Sequence, residues 1–290
     1  MLAVVIVSWN VRDLLRACLH SLQLDLANAA PNARIILVDS ASSDGTPPMV
    51  RAEFPSVELI ACDENIGYVK GNNLALRRLA AEPRGDFQFA WLLNPDTVVH
   101  GGATGALLDF MRAHPRCGLC GPKLLNPDGS LQHSAFAMPG LVQLALETQP
   151  LLWRFRNTRL DGRYHPARYA GPPFRVGHPL GAAMFARAQA IGQVGLFDEG
   201  FEMYAEEVDW AMRMHKAGWE VWCVPRAVVT HYGGASSGQV SERAEGLKWR
   251  SRQRYYRKYY SPLKRWLAMR LMPASYRQPV IAAHCGRDDV

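Results

Sequence analysis

The 290-residue sequence lacks any apolar run close to the roughly 18 uncharged residues that a membrane-spanning helix needs. It also lacks a basic stretch ahead of the apolar residues 1–9, so we expect a first strand there and not a secretion signal. No G-x-G-x-x-G, P-loop or H-E-x-x-H pattern occurs. Their absence weakens the dehydrogenase, P-loop NTPase and zincin interpretations.

Cysteine is too sparse for a disulfide framework. The six cysteines are scattered, and most lie inside apolar runs, which predicts a reducing, cytosolic compartment. Cys117 and Cys120 have the spacing of a redox pair, but no second Cys/His pair lies nearby in sequence to complete a metal site. We interpret them as two positions of a buried strand.

Positive charge is concentrated near the C-terminus. The net charge is +7, yet residues 245–277 alone hold ten basic side chains and one acidic one, so the rest of the chain is near neutral. Such a tail suits an anionic surface, either nucleic acid or lipid headgroups. No RNP or helix-turn-helix pattern accompanies it, so nucleic acid is not the expected partner. Interleaved Trp and Tyr favour an anionic membrane surface; the alternative is a helix that packs back on the domain.

Short apolar runs alternate with helical periodicity in the first hundred residues. Strands are predicted at residues 2–8, 34–38, 57–62 and 87–93, with helices between them. This order predicts a parallel sheet with helices on both faces, whose ligands bind at the carboxyl ends of strands. Further strands are predicted at 118–125, 177–186, 219–224 and 227–230. A helix is predicted over 208–215, and the chain looks helical from 241 onward.

Two polar loops follow predicted strands. In the loop from Asp39 to Thr46, a carboxylate could accept from the imide N–H of uracil or thymine, and hydroxyls could reach a ribose. The alternative is a capped turn that starts the next helix. The second loop contains Asn65 and Gly67 and opens a helix, whose N-terminus favours a diphosphate. The alternative is an ordinary cap with surface asparagines.

Three further sites carry acids or histidine. Asp96 follows an apolar strand and could hold a divalent cation; otherwise it is a capping residue. The acids Glu206, Glu207 and Asp209 lie beside aromatics, which can raise a carboxyl pKa as a general base requires; the alternatives are helix-dipole charge and an Asp209–Arg213 ion pair. His231 ends a strand and could reach a metal or phosphate, or be structural. The G-x-S-x-G match at residues 234–238 is discounted, because too few residues follow it for a hydrolase fold.

In this order, the segments resemble glycosyltransferase family 2, of the GT-A fold type, and most of all its bacterial rhamnosyltransferase-like subgroup. The matching segments are Val7-Ser8-Trp9-Asn10, Asp39 to Gly45, Asn65-Ile66-Gly67-Tyr68, Gly71-Asn72-Asn73, Leu92-Leu93-Asn94-Pro95-Asp96, Gly121-Pro122-Lys123-Leu124, Gly181-Ala182, Phe197-Asp198-Glu199, Glu206-Glu207-Val208-Asp209 and His231. The resemblance implies an α/β, Rossmann-type mixed sheet with helices on both faces, followed by the basic helical tail.

The resemblance also implies roles for residues. Asp39 would hold the nucleobase and Asp44 the nucleotide region. The implied nucleotide-sugar-binding residues are Ser8, Asn10, Asp39, Ser42, Asp44, Asn65, Gly67, Asn72 and Asn94. Asp96 and His231 would hold Mg²⁺ or Mn²⁺, although Asn94 replaces the first acid of the family's D-x-D element. Glu207 occupies the position of the family's base, which is usually an aspartate, so Asp209 and Glu206 stay candidates.

The implied reaction is an inverting transfer of a sugar from a nucleotide-diphosphate donor, dTDP-rhamnose before UDP-sugars, to a glycan or polyprenyl-linked acceptor in cell-surface polysaccharide synthesis. Residues 1–240 would form the transferase domain, with a nucleotide-binding half at 1–100 and an acceptor or catalytic half at 101–240; residues 241–290 would be the tail. We expect a cytoplasmic protein that the tail could hold on the inner face of the membrane. Two alternatives stay open: a non-catalytic nucleotide-sugar-binding relative, and a nucleic-acid-binding protein.

Overall fold

The computed structural model describes residues 1–81, 87–155, 158–233 and 241–276. The strands are β1 Leu2–Ser8, β2 Arg34–Asp39, β3 Glu58–Ala61, β4 Phe89–Leu93, β5 Thr97–Val99, β6 Cys117–Leu125, β7 Leu131–Gln132, β8 Ala135–Phe136, β9 Phe174–Arg175, β10 His178–Pro179, β11 Ala183–Arg187 and β12 Glu220–His231. The α-helices are α1 Arg12–Ala29, α2 Thr46–Glu53, α3 Gly67–Ala81, α4 Ala103–Ala113, α5 Leu141–Thr148, α6 Ala188–Val194, α7 Glu206–Lys216, α8 Ser241–Tyr259 and α9 Pro262–Leu271. Short 3-10 helices occupy Pro150–Phe155, Arg159–Asp161, Pro166–Ala170 and Ala274–Tyr276.

Ten strands form one mixed sheet. Its order is β3-β2-β1-β4-β11-β6-β12-β5, with β7 beside β6 and β9 beside β12. Strands β1 to β4 are mutually parallel, as the sequence predicts, while β11 runs antiparallel to both β4 and β6. Because β12 pairs parallel to β6, its carboxyl end lies at the same edge as those of β1, β2 and β4. The predicted α/β mixed sheet is confirmed.

The continuous apolar strands are buried because helices cover both faces of the sheet. Along β1, Val4 and Ile6 belong to one hydrophobic cluster and Val5 and Val7 to the other. The first cluster contains the apolar stripe of α1, and the second contains that of α3. Each fully buried Leu, Ile or Val contributes roughly 2 kcal/mol to folding, so these strands anchor the polar residues at their ends.

Two predicted strand boundaries are wrong. The strands predicted at 219–224 and 227–230 are one strand, β12, with a register shift between Val224 and Val228. Pro225 lies in that irregularity, where a residue without an N–H is tolerated. The single strand predicted at 177–186 is two strands in different sheets, β10 and β11, separated by a turn that contains Gly181.

The aromatic side chains of the basic tail contradict the idea that they all lie at a membrane surface. Trp249, Tyr255 and Tyr256 of α8 are buried, in a cluster with Phe201 and Val208. The reason is that α8 covers apolar side chains of α5 and α7 that the sheet leaves uncovered. The domain boundary at 240 stays a prediction, but α8 shares a core with the residues before it.

Much of the tail's positive charge is also paired within the molecule. Lys248 and Arg252 contact Glu147 at 2.7 and 3.0 Å, and Arg254 and Lys258 contact Asp198 at 2.8 and 2.7 Å. Burial opposes ionisation of Asp198, but hydrogen bonds from Lys258, the Gly200 N–H and Arg254 outweigh it and lower the pKa of Asp198 to about 2. These contacts fasten α8 to the domain.

Several predictions fall outside the described residues: the G-x-S-x-G segment at 234–238, the tail from residue 277 onward, and Cys285. Within the described residues the five cysteines are free, and Cys117 and Cys120 are buried in β6, as expected. No helix of the described chain is both long enough and apolar enough to span a bilayer.

Candidate active site

The polar residues that the sequence singles out gather at one edge of the sheet. Ser8 and Asp39 end the adjacent strands β1 and β2, Asn94 follows β4, and His231 ends β12. All four strands are parallel to one another, so their carboxyl ends face the same side. The N-terminus of α3 follows β3 toward this edge. This is where an open α/β sheet binds ligands.

Asp39 has an oxygen that no described residue satisfies. Its side chain is buried, and Oδ2 accepts from the Ser42 N–H at 2.9 Å, while Oδ1 has no partner in the described chain. The neighbouring hydroxyls of Ser8 and Ser40 are also buried without a hydrogen-bond partner there. Unpaired buried polar atoms are costly, so this cluster is built for a ligand that brings its own donors and acceptors.

Asn10, Ser42 and Asp44 build the wall of the same loop. The Asn10 N–H donates to Ser42 Oγ at 2.9 Å, and Asn10 Oδ1 accepts from the Ser43 N–H at 2.8 Å. Asp44 accepts from the Arg12 N–H at 2.8 Å and from the Thr46 hydroxyl at 2.6 Å. Burial opposes ionisation of Asp44, but these hydrogen bonds outweigh it and lower its pKa. Asp44 thus ties α1 to the start of α2.

The N-terminus of α3 is held close to β1. Asn65 Oδ1 accepts from the Gly67 N–H at 3.0 Å, and Gly67 has φ +75°, a conformation that favours glycine. A Cβ on Gly71 would lie 2.8 Å from Val7 Cγ1, so only glycine permits this approach. Asn72 donates to the Tyr68 carbonyl at 2.9 Å, and its buried Oδ1 has no partner in the described residues. Asn65 acts as a cap, whereas Asn72 presents a free acceptor.

Asp96 and His231 come together across β5 and β12. The distance from Asp96 Oδ1 to His231 Nε2 is 3.4 Å, and Asn94 Nδ2 lies 3.5 Å from the same nitrogen. Asn94 Oδ1 is buried without a partner in the described chain. No group of three His, Cys, Asp or Glu side chains in the described ranges could hold a metal ion. Two ligands and an amide oxygen fit a divalent cation that takes its remaining ligands from a bound diphosphate.

Gln132, which the sequence analysis missed, orients His231. Its Oε1 accepts from His231 Nδ1 at 2.8 Å, and its Nε2 donates to the His231 carbonyl at 3.3 Å. An amide oxygen can only accept, so the proton of a neutral His231 ring lies on Nδ1 and leaves Nε2 as a lone-pair ligand toward Asp96. The two residues are 99 positions apart, and no local pattern links them.

Two adjacent acids, the buried Glu206 and the partly buried Glu207, begin α7. Burial raises the pKa of both, and for Glu206 the neighbouring Glu207 charge raises it further, well above the usual value. One oxygen of each has no partner in the described residues. The preceding residues Tyr204 and Ala205 have φ of +65° and +63°, which costs non-glycine residues energy. Strain next to unpaired acids is typical of a catalytic site.

Tyr68 and Arg252 both interact electrostatically with this pair. The Tyr68 hydroxyl donates to the Gly181 carbonyl at 2.9 Å. Burial, and then the charges of Glu206 and Glu207, raise the pKa of Tyr68 well above its usual value. From α8, the positive charge of Arg252 works the other way and partly offsets the effect of burial on the pKa of Glu207. Arg252 was counted in the sequence only as part of a basic tail.

Asp209, also in the first turn of α7, has both carboxylate oxygens engaged. Arg213 Nε contacts Oδ2 at 2.8 Å, while the Tyr259 hydroxyl and Lys258 Nζ contact Oδ1 at 2.7 and 2.6 Å. Its side chain has no exposed surface. The Asp209–Arg213 ion pair, which the sequence analysis gave as the alternative to a catalytic role, is present. Tyr259 and Lys258 of α8 occupy the other carboxylate oxygen.

Comparisons with known proteins show the family of this chain. A family model described as "Glycosyltransferase like family 2" matches residues 1–260. The N-acetylglucosaminyl-diphospho-decaprenol L-rhamnosyltransferase of Mycobacterium tuberculosis is 34% identical over 230 residues, which cover 74% of this chain and 71% of that protein. The O-antigen biosynthesis protein RfbC of Myxococcus xanthus is 25% identical over 230 residues, or 77% of this chain and 16% of that protein.

Solved structures with the same fold are glycosyltransferases. The mannosyltransferase PcManGT from Pyrobaculum calidifontis, in complex with GDP-Man and Mn²⁺, superposes with a TM-score of 0.59 at 15% identity, over 92% of this chain and 67% of that one. GalNAc-T7 with UDP, GalNAc and Mn²⁺ superposes with a TM-score of 0.56 at 16% identity, over 80% of this chain and 43% of that one. At such low identity these likenesses establish the GT-A fold alone.

Proposed function

The chain belongs to glycosyltransferase family 2, and from that premise we propose that it transfers rhamnose from dTDP-rhamnose to a polyprenyl-linked glycan acceptor. The observation that carries the proposal is the row of buried, unpaired polar atoms along one sheet edge, which runs beside the Glu206–Glu207 pair. Similarity to the mycobacterial rhamnosyltransferase supports the sugar and the lipid-linked acceptor.

The donor nucleotide binds along the ends of β1 and β2 in this proposal. The free Oδ1 of Asp39 accepts the imide N–H of the thymine or uracil ring, and the Ser8 and Ser40 hydroxyls lie beside it. Asn10, Ser42, Asp44 and Asn65 shape the loops, because their hydrogen-bonding groups are used in holding the backbone. The N-terminus of α3, with Gly67 and Asn72, faces the diphosphate.

Asp96 and His231, with Asn94 beside them, are the residues that would hold Mg²⁺ or Mn²⁺. Their oxygen and nitrogen atoms suit either ion. The buried Asn94 Oδ1 has no hydrogen-bond partner in the described chain and is available as a further ligand. A bound cation would neutralise charge on the leaving diphosphate. The carboxylate of Asp96 and the Nε2 lone pair of His231, which Gln132 orients, are this chain's contribution.

Glu207 acts as the general base in the proposed mechanism. Asp209 is not available to an acceptor, because Arg213, Lys258 and Tyr259 occupy its carboxylate. Glu206 is the more deeply buried acid of the pair, and burial and the neighbouring Glu207 charge raise its pKa well above the usual value, so Glu206 is the acid that holds a proton more tightly. Glu207 is only partly buried, which leaves its carboxyl group within reach of an acceptor.

The reaction is then a single inverting displacement. The acceptor hydroxyl gives its proton to Glu207 as its oxygen forms a bond to the anomeric carbon of the sugar. The bond from that carbon to the diphosphate oxygen breaks, and the nucleoside diphosphate leaves with the electron pair. Protein N–H groups fixed at the helix N-terminus stabilise the growing charge, so no covalent enzyme intermediate is needed.

A transfer assay tests the proposal. The full chain is mixed with dTDP-rhamnose and a short-chain polyprenyl-diphosphate sugar, with Mg²⁺, with Mn²⁺ or with a chelator, and the product anomer is read by NMR. Inverted rhamnosylation that needs a divalent ion is the expected result. Binding of dTDP-rhamnose without turnover on any acceptor would favour a non-catalytic relative, and turnover of UDP-sugars alone would change the donor.

A further inference from the structure

Exposed apolar side chains are concentrated on one part of the surface. The described residues include ten large apolar side chains that are exposed, and six of them lie on α5, α9 and the 3-10 helices between residues 150 and 161. These six are Val142, Leu151, Leu160, Leu263, Trp266 and Leu267. We call this surface the α5–α9 face, since α9 packs on α5 and α5 packs on the 3-10 helices.

Helix α9 presents its apolar residues outward at helical spacing. Leu263, Trp266 and Leu267 follow the i, i+3, i+4 pattern of one helix face, and they are 69%, 54% and 38% exposed. The opposite side of α9 is attached to the domain through the fully buried Ala268. An isolated exposed Leu needs no explanation, but a stripe of this kind marks an interaction surface.

Cations and a groove complete the α5–α9 face. Lys264 and Arg265, which lie between Leu263 and Trp266 in sequence, are exposed beside the apolar stripe of α9. An open groove of about 440 Å³ lies beside them, lined by Gly140, Leu141, Val142, Gln143, Leu160, Tyr260 and Lys264. At the surface of an anionic bilayer, hydrocarbon lies directly beneath phosphate. Exposed apolar side chains with cations beside them can therefore contact acyl chains and lipid phosphates at the same time.

We propose that the α5–α9 face docks this protein on an anionic lipid bilayer. Leu263, Trp266 and Leu267 enter the boundary between headgroups and acyl chains, and Lys264 and Arg265 contact lipid phosphates. This narrows the membrane contact predicted for residues 245–277 to α9 and its neighbours, because the aromatic residues and several cations of α8 are engaged within the domain.

The position of the face suits a lipid-linked acceptor, and in this respect the proposal rests on the proposed function. Arg252 is close enough to Glu207 for its charge to lower the pKa of that carboxyl. Tyr259, the last residue of α8, lies seven positions after Arg252. The distance between them along the helix axis is roughly 10 Å. A sugar diphosphate attached to a membrane lipid spans a gap of that size.

Vesicle flotation with the full chain tests the docking surface. The probes are vesicles of phosphatidylcholine, with and without phosphatidylglycerol, across a salt series. We compare the unchanged protein with the triple variant Leu263→Ser, Trp266→Ser, Leu267→Ser and with the double variant Lys264→Glu, Arg265→Glu. The matched controls are Leu24→Ser and Arg51→Glu, which change an exposed leucine and an exposed arginine on α1 and α2.

The unchanged protein and both controls should bind the anionic vesicles, and more weakly as salt rises. The triple and the double variant should each bind roughly tenfold more weakly or worse, with unchanged thermal midpoints because the altered side chains are exposed. Equal binding by all variants would overturn the proposal. So would self-association of the unchanged protein that the triple variant abolishes without vesicles, because the face would then join two copies.

Failure of the docking surface and failure of the proposed function give different results. Transfer to a short, water-soluble acceptor does not need a bilayer, so the triple variant should keep it within a few-fold. If that transfer is absent in every variant while vesicle binding follows the prediction, the function is wrong and the surface stands. If transfer is present and vesicle binding is unaffected, only the surface is wrong.

Discussion

The two separate variants Glu207→Gln and Asp209→Asn, each of which replaces a carboxylate with an amide, should differ in whether they lower activity or stability. Both acids lie in the first turn of α7, but their surroundings differ. Asp209 has three donors and no exposed surface, whereas an oxygen of Glu207 is buried beside Glu206 without a partner in the described chain. Asp209→Asn should therefore lower stability, and Glu207→Gln should lower activity.

The size of each effect follows from the contacts. Removing one partner of a buried ion pair costs about 3 to 5 kcal/mol, but the side chains of Arg213 and Lys258 are 20% and 33% exposed and can recover water. We expect Asp209→Asn to lower the free energy of unfolding by about 2 to 3 kcal/mol, or roughly 4 to 6 °C in Tm. Transfer per folded molecule should fall only a few-fold.

Glu207→Gln should behave in the reverse way. A general base contributes roughly 10² to 10⁴ in rate, so transfer should fall at least a hundredfold while donor binding is kept. The folded pKa of Glu207 is raised, so its charge destabilises the fold above the ordinary carboxyl pKa. Removing that charge at pH 7 should leave Tm unchanged or raise it.

The assays are transfer rate, donor affinity by calorimetry and Tm by differential scanning, all at pH 7. Glu206→Gln is the matched neighbour and should also preserve stability, because Glu206 is likewise buried with a raised pKa. A hundredfold loss of transfer in Asp209→Asn with its Tm unchanged, together with an active Glu207→Gln, would show that the base has been assigned to the wrong carboxylate.

Three further outcomes are expected. Asp96→Ala should abolish the Mn²⁺-dependent part of nucleotide binding, measured by calorimetry with and without chelator, without changing Tm; full metal dependence in that variant would make Asp96 only structural. Asp39→Asn should weaken dTDP binding roughly tenfold, since an amide lacks the carboxylate's charge. Equal affinity of the variant and the unchanged protein would show that Asp39 does not bind the nucleobase. The pKa of Asp198 is lowered to about 2, so its ionised form stabilises the folded state by about 2 kcal/mol above the ordinary pKa of 3.8. This stabilisation is lost as the pH falls toward 2. In urea unfolding measured across that pH range, Asp198→Asn should make the free energy of unfolding fall less steeply with decreasing pH.

The fold and the strand-end residues could be predicted because their signals are local. Buried strands are continuous apolar runs, and Asp39, Asn94 and His231 follow such runs directly. Parallel pairing then brings their carboxyl ends together without any need to know a contact in advance. The helical apolar pattern likewise predicted a helix over residues 208–215, and the observed α7 begins two residues earlier, at Glu206.

The contacts that were missed join residues far apart in sequence. Gln132 meets His231 across 99 positions, and Tyr259 meets Asp209 across 50. The tail shows the consequence. Its alternation of cations and aromatics favours a membrane surface over a helix packed on the domain, because the acids that neutralise it, Glu147 and Asp198, lie in other elements. Only tertiary structure separates the buried face of α8 from the exposed face of α9.

Helix α8 also explains how the chain maintains an unfavourable geometry at Glu206 and Glu207, the acids of the proposed catalytic site. Tyr204 and Ala205 have positive φ, and two adjacent glutamates follow them into partial or full burial, so the local sequence would relax if it were free. The Ser251 hydroxyl of α8 donates to the Met203 carbonyl at 2.7 Å, directly before this turn. Ala205 and Val208 pack in the same cluster as Trp249 and Tyr255. The ion pairs and buried aromatics of α8 therefore offset the strain just before Glu206 and Glu207, which makes α8 part of the scaffold of the proposed active site.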